Sequence, residues 1–143
     1  MMKIRKARKS DIKQIVNLFV DGFSEKPYNE CWTEKNALNK IKDYYNSGEI
    51  LVIIESRTVI GFVIYHQMLW DNHNKLYIDE MVVDKAYRRK GIGTKLLNEV
   101  EKKAKEDGIS NLELVSNTDS VAFKLYKDKG YEENGLVIME KKL

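Results

Sequence analysis

At 143 residues, 43% hydrophobic and 33% charged, the chain has the length and balance of one globular domain. That composition excludes disorder, a collagen repeat and a disulfide scaffold, and no apolar run approaches the ~18–20 residues of a membrane span. With 25 basic residues against 22 acidic, the net charge of +3 falls short of a nucleic-acid footprint. A lone Cys31 with only His66 and His73 beside it offers no zinc-ligand spacing, so no metal is expected. Lys3, Arg5, Lys6, Arg8 and Lys9 open the chain without a following apolar stretch, which predicts no secretory signal and a cytoplasmic location.

Only one proline, Pro27, and no Gly/Ser-rich linker or repeat interrupt the sequence, so a single domain over 1–143 is expected. A short basic strand, Met2 to Ala7, precedes an N-cap signal at Ser10-Asp11. Ile12, Ile15, Val16 and Phe19 then recur at helical spacing, predicting an amphipathic helix to about Gly22. Phe23 to Trp32 has no clear period. Thr33 caps a second helix carrying Leu38, Ile41 and Tyr45, which Asn46-Ser47-Gly48 ends. Ile50–Ile54 and Val59–Leu69 read as a hairpin about Ser56-Arg57-Thr58, and Lys75–Val83 as the next strand. Within that strand Asp79 and Glu80 stand side by side, where strict alternation would send one carboxylate into the core. A bulge that turns a carboxylate toward a cleft is the expected resolution. Ile92, Leu96, Leu97, Val100 and Ala104 form the stripe of a long helix that Gly108 ends. Asn111–Val115 reads as a strand, Ser120–Lys129 as a short helix and Leu136–Lys141 as a last strand. The predicted fold class is α/β: a mixed, mainly antiparallel sheet with one parallel β-α-β crossover over 75–115.

The most informative stretch is Arg88-Arg89-Lys90-Gly91-Ile92-Gly93-Thr94, which joins a strand to a helix. Glycines admit an anion close to the backbone, and helix N-terminal N–H groups with the positive dipole end would face it, as a pyrophosphate site requires. The order Gly93-Thr94-Lys95 fails the P-loop pattern, and Leu96 fills the place of a third dinucleotide glycine, although Glu113 stands at about the right distance for a ribose acid. Two readings stay open for the residues alone: an anion-binding Arg-x-x-Gly-x-Gly turn, or an ordinary turn whose basic residues serve solubility.

Val82-Val83-Asp84, Tyr87 to Leu97, and then Ala122-Phe123-Lys124-Leu125-Tyr126 through Gly130-Tyr131, together resemble the GCN5-related N-acetyltransferase (GNAT) superfamily, closely over 76–131 and loosely over the whole chain. The resemblance implies a GNAT-like acyl-CoA N-acyltransferase fold and acetyl-CoA as cosubstrate. Its pyrophosphate would lie on the main chain of Arg88, Arg89, Lys90, Gly91, Ile92, Gly93 and Thr94. Met81, Val82 and Val83 would pair with the pantetheine arm like an added strand. Where the family's second block commonly has Asn, this chain has Asp119, with Asn117 just before it; the small Ala122 matches.

Acetyl transfer to an amine poses two proton problems. Freeing a lysine-like amine of pKa ~10.4 at pH 7 costs roughly 3.4 units, about 4.6 kcal/mol. Asp79 and Glu80 are the candidates to take or balance that proton. Asp79 is preferred, because the resemblance implies an acid there; the plainer reading is a wet-face pair. The leaving thiolate needs a donor or a hydrogen bond, for which the resemblance offers Tyr126, a residue that otherwise packs the helix onto the sheet. A backbone N–H near Val82 is the candidate to hold the carbonyl oxygen. Tyr28, Glu30, Trp32 and Trp70 would form an acidic, aromatic recess for a cation, or else cap the core. Both histidines are expected on the surface or on a strand. The leading reading is an N-acetyltransferase acting on a primary amine of a small molecule or peptide by direct attack in a ternary complex. The alternative is a non-catalytic module that senses CoA or binds nucleic acid. No membrane partner is expected, and a homodimer is left open.

Overall fold

Runs of β-branched and aromatic residues build five strands: β1 (Met2–Lys6), β2 (Glu49–Glu55), β3 (Thr58–Leu69), β4 (Asn74–Val83) and β5 (Asn111–Leu114), adjacent in that order. The computed structural model describes residues 1–143. β1 to β4 pair antiparallel and β4 pairs parallel with β5, as expected of a mainly antiparallel sheet with one parallel crossover. Ser56 and Arg57 both take positive φ, 48° and 66°, the backbone a tight two-residue hairpin between β2 and β3 requires.

Four helices cover the sheet: α1 (Ile12–Ser24), α2 (Glu34–Ser47), α3 (Ile92–Glu106) and α4 (Val121–Asp128). Ile15, Val16 and Phe19 of α1 and Ala37 and Ile41 of α2 bury one face of the sheet with Val52, Phe62 and Ile64. Leu96, Leu97, Val100 and Ala104 of α3 bury the other with Leu51, Ile53, Val63 and Tyr65. Thr33 Oγ1 accepts from the Asn36 N–H at 3.1 Å, so that cap acts as read, and Ser120, expected as the first residue of its helix, is the cap of α4, its Oγ accepting from the Phe123 N–H at 3.1 Å.

Three local expectations are corrected. Helix α1 runs to Ser24, because Gly22 sits inside the last turn, where a Cβ would lie 2.9 Å from Val82 Cγ1. The glycine there lets the helix approach β4. Asp11 precedes α1 without capping it; its carboxylate takes the Arg8 N–H at 2.7 Å and Arg5 at 2.7 and 3.1 Å. The strand expected over 136–141 does not form: Leu136, Val137, Ile138 and Met139 are 72–89% exposed. A β-favouring sequence becomes a strand only against a hydrogen-bonding edge, and this segment lies on none.

Candidate active site

The site grows out of the irregularity in β4. Pairing with β3 runs Tyr65 to Ile78 and then Ile64 to Glu80, so Asp79 is the extra residue of a bulge. Ile78, Met81 and Val83 face the α3 side, whereas Val82 packs with α1, and Glu80 stands opposite Ile64 of that same cluster. The bulge therefore keeps Asp79 and Glu80 together on the face toward α1 and α2 and spares the α3 core a carboxylate. The parallel ladder to β5 also stops at Ile78 and Leu114. Beyond that point β4 stays paired with β3 to Val83 but loses β5, so its other edge is left free and the two parallel strands part.

Two recesses open at the parting. The larger, about 580 Å³, runs along Met81–Val83 between the 88–94 turn, α4 and the start of the α1–α2 segment. Gly91 takes φ +75° at the N-cap of α3 and Arg89 φ +62°, so the turn coils tightly and leaves the first N–H groups of α3 at the cleft. Gly93 answers a different need: a Cβ there would meet Leu125 Cδ2 at 2.7 Å. Arg88, Arg89, Ile92, Thr94 and Ala122 line the same wall. A cleft with backbone donors at the 88–94 turn and the free edge of β4 beside it fits a ligand with an anionic centre that extends along the strand.

The smaller recess, about 110 Å³, holds Asp79, Glu80, Asn117 and Tyr126, and shares Phe23, Tyr28, Met81 and Ala122 with the larger. Burial pushes Glu80 up to about 7, against the pull of Lys40 and of the nearby Tyr44 hydroxyl, with Glu30 and Asp79 adding to the rise. Asp79 Oδ2 is already engaged, 2.7 Å from His66 Nδ1. Tyr126 is buried, and burial, then Tyr28 and Glu80, raises its pKa well above that of a free phenol, so its hydroxyl keeps its proton at any working pH. The Tyr44 hydroxyl is raised in the same way, by burial and then by Glu80 and Asp79.

Sequence-singled residues divide accordingly. Asp79, Glu80, Tyr126, Tyr28, Met81, Val82, Val83, Arg88, Arg89, Gly91 to Thr94 and Ala122 all border the two recesses. Lys90 does not; its Nζ lies 5.2 Å from the Tyr87 ring. Asp119 is exposed, and its N–H donates to Asn117 Oδ1, so Asn117 is the neighbour that reaches the recess. Glu30 accepts from Trp32 Nε1 at 2.6 Å, and Trp32 packs edge-on against Phe19; neither lines a recess, although Glu30 is near enough to Glu80 to act on its charge. Trp70 is half-exposed at the far end of β3 with Lys75 Nζ 4.2 Å from its ring, away from both recesses. The expectation of a substrate contact by Trp70 is not supported by this position. Lys40, Tyr44 and His66 enter the site unannounced. Lys40 and Tyr44 share one helix face at i, i+4, and His66 stands across the ladder from Tyr77, the only signals that pointed to them.

The family model described as "Acetyltransferase (GNAT) family" matches residues 12–131. This chain belongs to the acetyltransferase (GNAT) family. Among curated proteins, the thialysine N-epsilon-acetyltransferase of Bos taurus is 29% identical over 122 residues, covering 81% of this chain. The chain spans 63% of that relative's length. Of solved structures, a possible acetyltransferase from Clostridium difficile 630 superposes with a TM-score of 0.86 at 22% identity, over 100% of this chain and 98% of that one. The aminoglycoside N-acetyltransferase AAC(6')-Iy in complex with CoA gives 0.78 at 17% identity, over 99% and 95%. At these identities the two structures speak for a shared GNAT fold.

Proposed function

We propose that the protein is an N-acetyltransferase that moves an acetyl group from acetyl-CoA to a primary amine of a small molecule, by direct attack in a ternary complex. The observation that carries the reading is the meeting of the two recesses at the β4 bulge, with a cleft suited to a pyrophosphate on one side and two carboxylates on the other. Family membership supports acetyl-CoA as donor, and the names of the similar enzymes, which act on thialysine and on aminoglycosides, support small amine acceptors. An exposed free thiol, Cys31, suits a reducing cytoplasmic setting.

Acetyl-CoA supplies an activated acyl group in its thioester; the remaining contributions are the chain's own. Glu80 is our assignment for the base. Proton transfer from an amine of pKa ~10.4 to an ordinary carboxylate near ~4.3 is uphill by about 6 units, roughly 8 kcal/mol, whereas a partner near 7 leaves roughly 4.6 kcal/mol. Burial thus makes Glu80 the better acceptor, while Asp79, steadied by His66, adds negative potential that draws an ammonium into the recess. The N–H groups on the unpaired stretch of β4 near Val82 are suited to the carbonyl oxygen as it gains charge. Tyr126 serves by hydrogen bonding to the leaving sulfur: a phenol raised by burial parts with its proton reluctantly but still donates.

The test is free-thiol release from acetyl-CoA with a panel of primary amines: linear diamines, thialysine and an aminoglycoside. Turnover with at least one amine is expected. Tight acetyl-CoA binding with no release for any amine would turn the reading toward a CoA-sensing module.

A further inference from the structure

Among the residues lining the 580 Å³ cleft there is one acid, Glu25, an unexpected charge in a wall otherwise suited to an anion. Its carboxylate is not idle. Oε1 accepts from Arg88 Nη2 at 2.5 Å, Oε2 from Arg88 Nη1 at 3.5 Å, and Lys85 Nζ lies 3.6 Å from Oε2. The pair joins opposite walls, because Glu25 ends α1 while Arg88 opens the Arg-x-x-Gly-x-Gly turn. Glu25 also anchors the α1–α2 segment: its carbonyl accepts from the N–H groups of Tyr28 and Asn29, both at 3.0 Å. Arg88 and Glu25 side chains are 37% and 26% exposed, a setting in which an ion pair is weak and readily exchanged. A pyrophosphate offers the same guanidinium a bidentate oxygen partner that carries two charges against the carboxylate's one.

We propose that Glu25 is a positioning residue that clasps Arg88 across the cleft until the anionic centre of the cosubstrate takes the guanidinium over. The proposal rests on the acetyl-CoA reading above. It makes the clasp a competitor of the pyrophosphate for one side chain, so the carboxylate acts through Arg88 and not merely as a nearby negative charge. Closing the cleft by a pair this exposed keeps Arg88 oriented inward and surrenders it at little cost.

Calorimetric titration with CoA, which needs no turnover, tests this on the parent, Glu25→Gln, Arg88→Gln and the double variant. Glu25→Gln should bind CoA about two- to fivefold more tightly at 50 mM salt, the range an exposed pair can supply, and the gain should shrink at 0.5 M. In the Arg88→Gln background, adding Glu25→Gln should change Kd by less than about 1.5-fold, the mark of coupled residues. Equal tightening in both backgrounds would make Glu25 a plain repulsive charge and overturn the clasp. Weaker or unchanged binding in Glu25→Gln alone would overturn it too. A parent that binds no CoA would instead remove the acetyl-CoA reading on which the clasp depends.

Discussion

His66 Nδ1 lies 2.7 Å from Asp79 Oδ2 across the β3–β4 ladder, so the first carboxylate of the bulge is held before any amine arrives. The second, Glu80, takes its environment from burial and from Lys40 and Tyr44. Asp79→Asn should therefore act mainly on acceptor binding, raising KM about two- to fivefold with kcat nearly kept, the size of a part-screened charge contact. His66→Gln should do less. A kcat loss in Asp79→Asn as large as that of Glu80→Gln would make Asp79 the proton acceptor.

Tyr126→Phe keeps the ring that packs against α3 and the sheet and removes only the hydroxyl. A hydrogen bond to a charged sulfur is worth about 1.5–3 kcal/mol, so kcat should fall about 10- to 150-fold while acetyl-CoA affinity stays within about threefold. Stopped turnover assays paired with calorimetry separate the two quantities. Unchanged kcat would return Tyr126 to packing alone.

Glu80 also ties stability to pH. Its folded pKa, about 7, stands above that of a free carboxylate, so the folded chain holds this proton more tightly than the unfolded one. The stabilising contribution is complete in acid and is lost as pH rises to about 7. Melting curves from pH 4.5 to 8 should show the parent losing Tm relative to Glu80→Gln across that window. A Tm difference that stays flat with pH would contradict the burial argument.

Much of this was legible because it broke a local rule. Asp79-Glu80 violated strand alternation, and two glycines beside a helix start violated ordinary helix chemistry, so the bulge and the 88–94 turn could be read from neighbours in the chain. Lys40 and Tyr44 obey every local rule of a surface helix; only the docking of α2 on the sheet brings them to Glu80. Glu25 and Arg88 stand 63 residues apart and carry no shared pattern. Trp70 and the 136–141 segment show the opposite failure. Aromatic and β-branched residues there suggested a recess wall and a strand, but position in the hairpin and the lack of a sheet edge decided otherwise.

The two glycines of the turn should fail differently. A Cβ at Gly91 meets nothing within 4 Å but must adopt φ +75°, so Gly91→Ala should cost about 1–2 kcal/mol of stability, read by denaturant titration. Gly93→Ala instead drives a methyl to 2.7 Å from Leu125 Cδ2 in the cleft wall, and should weaken CoA binding more than it lowers stability. The reverse ranking would contradict the roles assigned from the turn.

The most direct test is the pH dependence of kcat/KM for acetyl transfer to an amine accepted in the thiol-release panel, measured from pH 5.5 to 9 for the parent and Glu80→Gln. The parent should show an ascending limb near pH 7, where Glu80 loses its proton and becomes able to accept another. Glu80→Gln should lack that limb and run about 10²- to 10⁴-fold slower, with acetyl-CoA Kd unchanged. A Glu80→Gln enzyme that keeps both the limb and the rate would contradict the account at its centre.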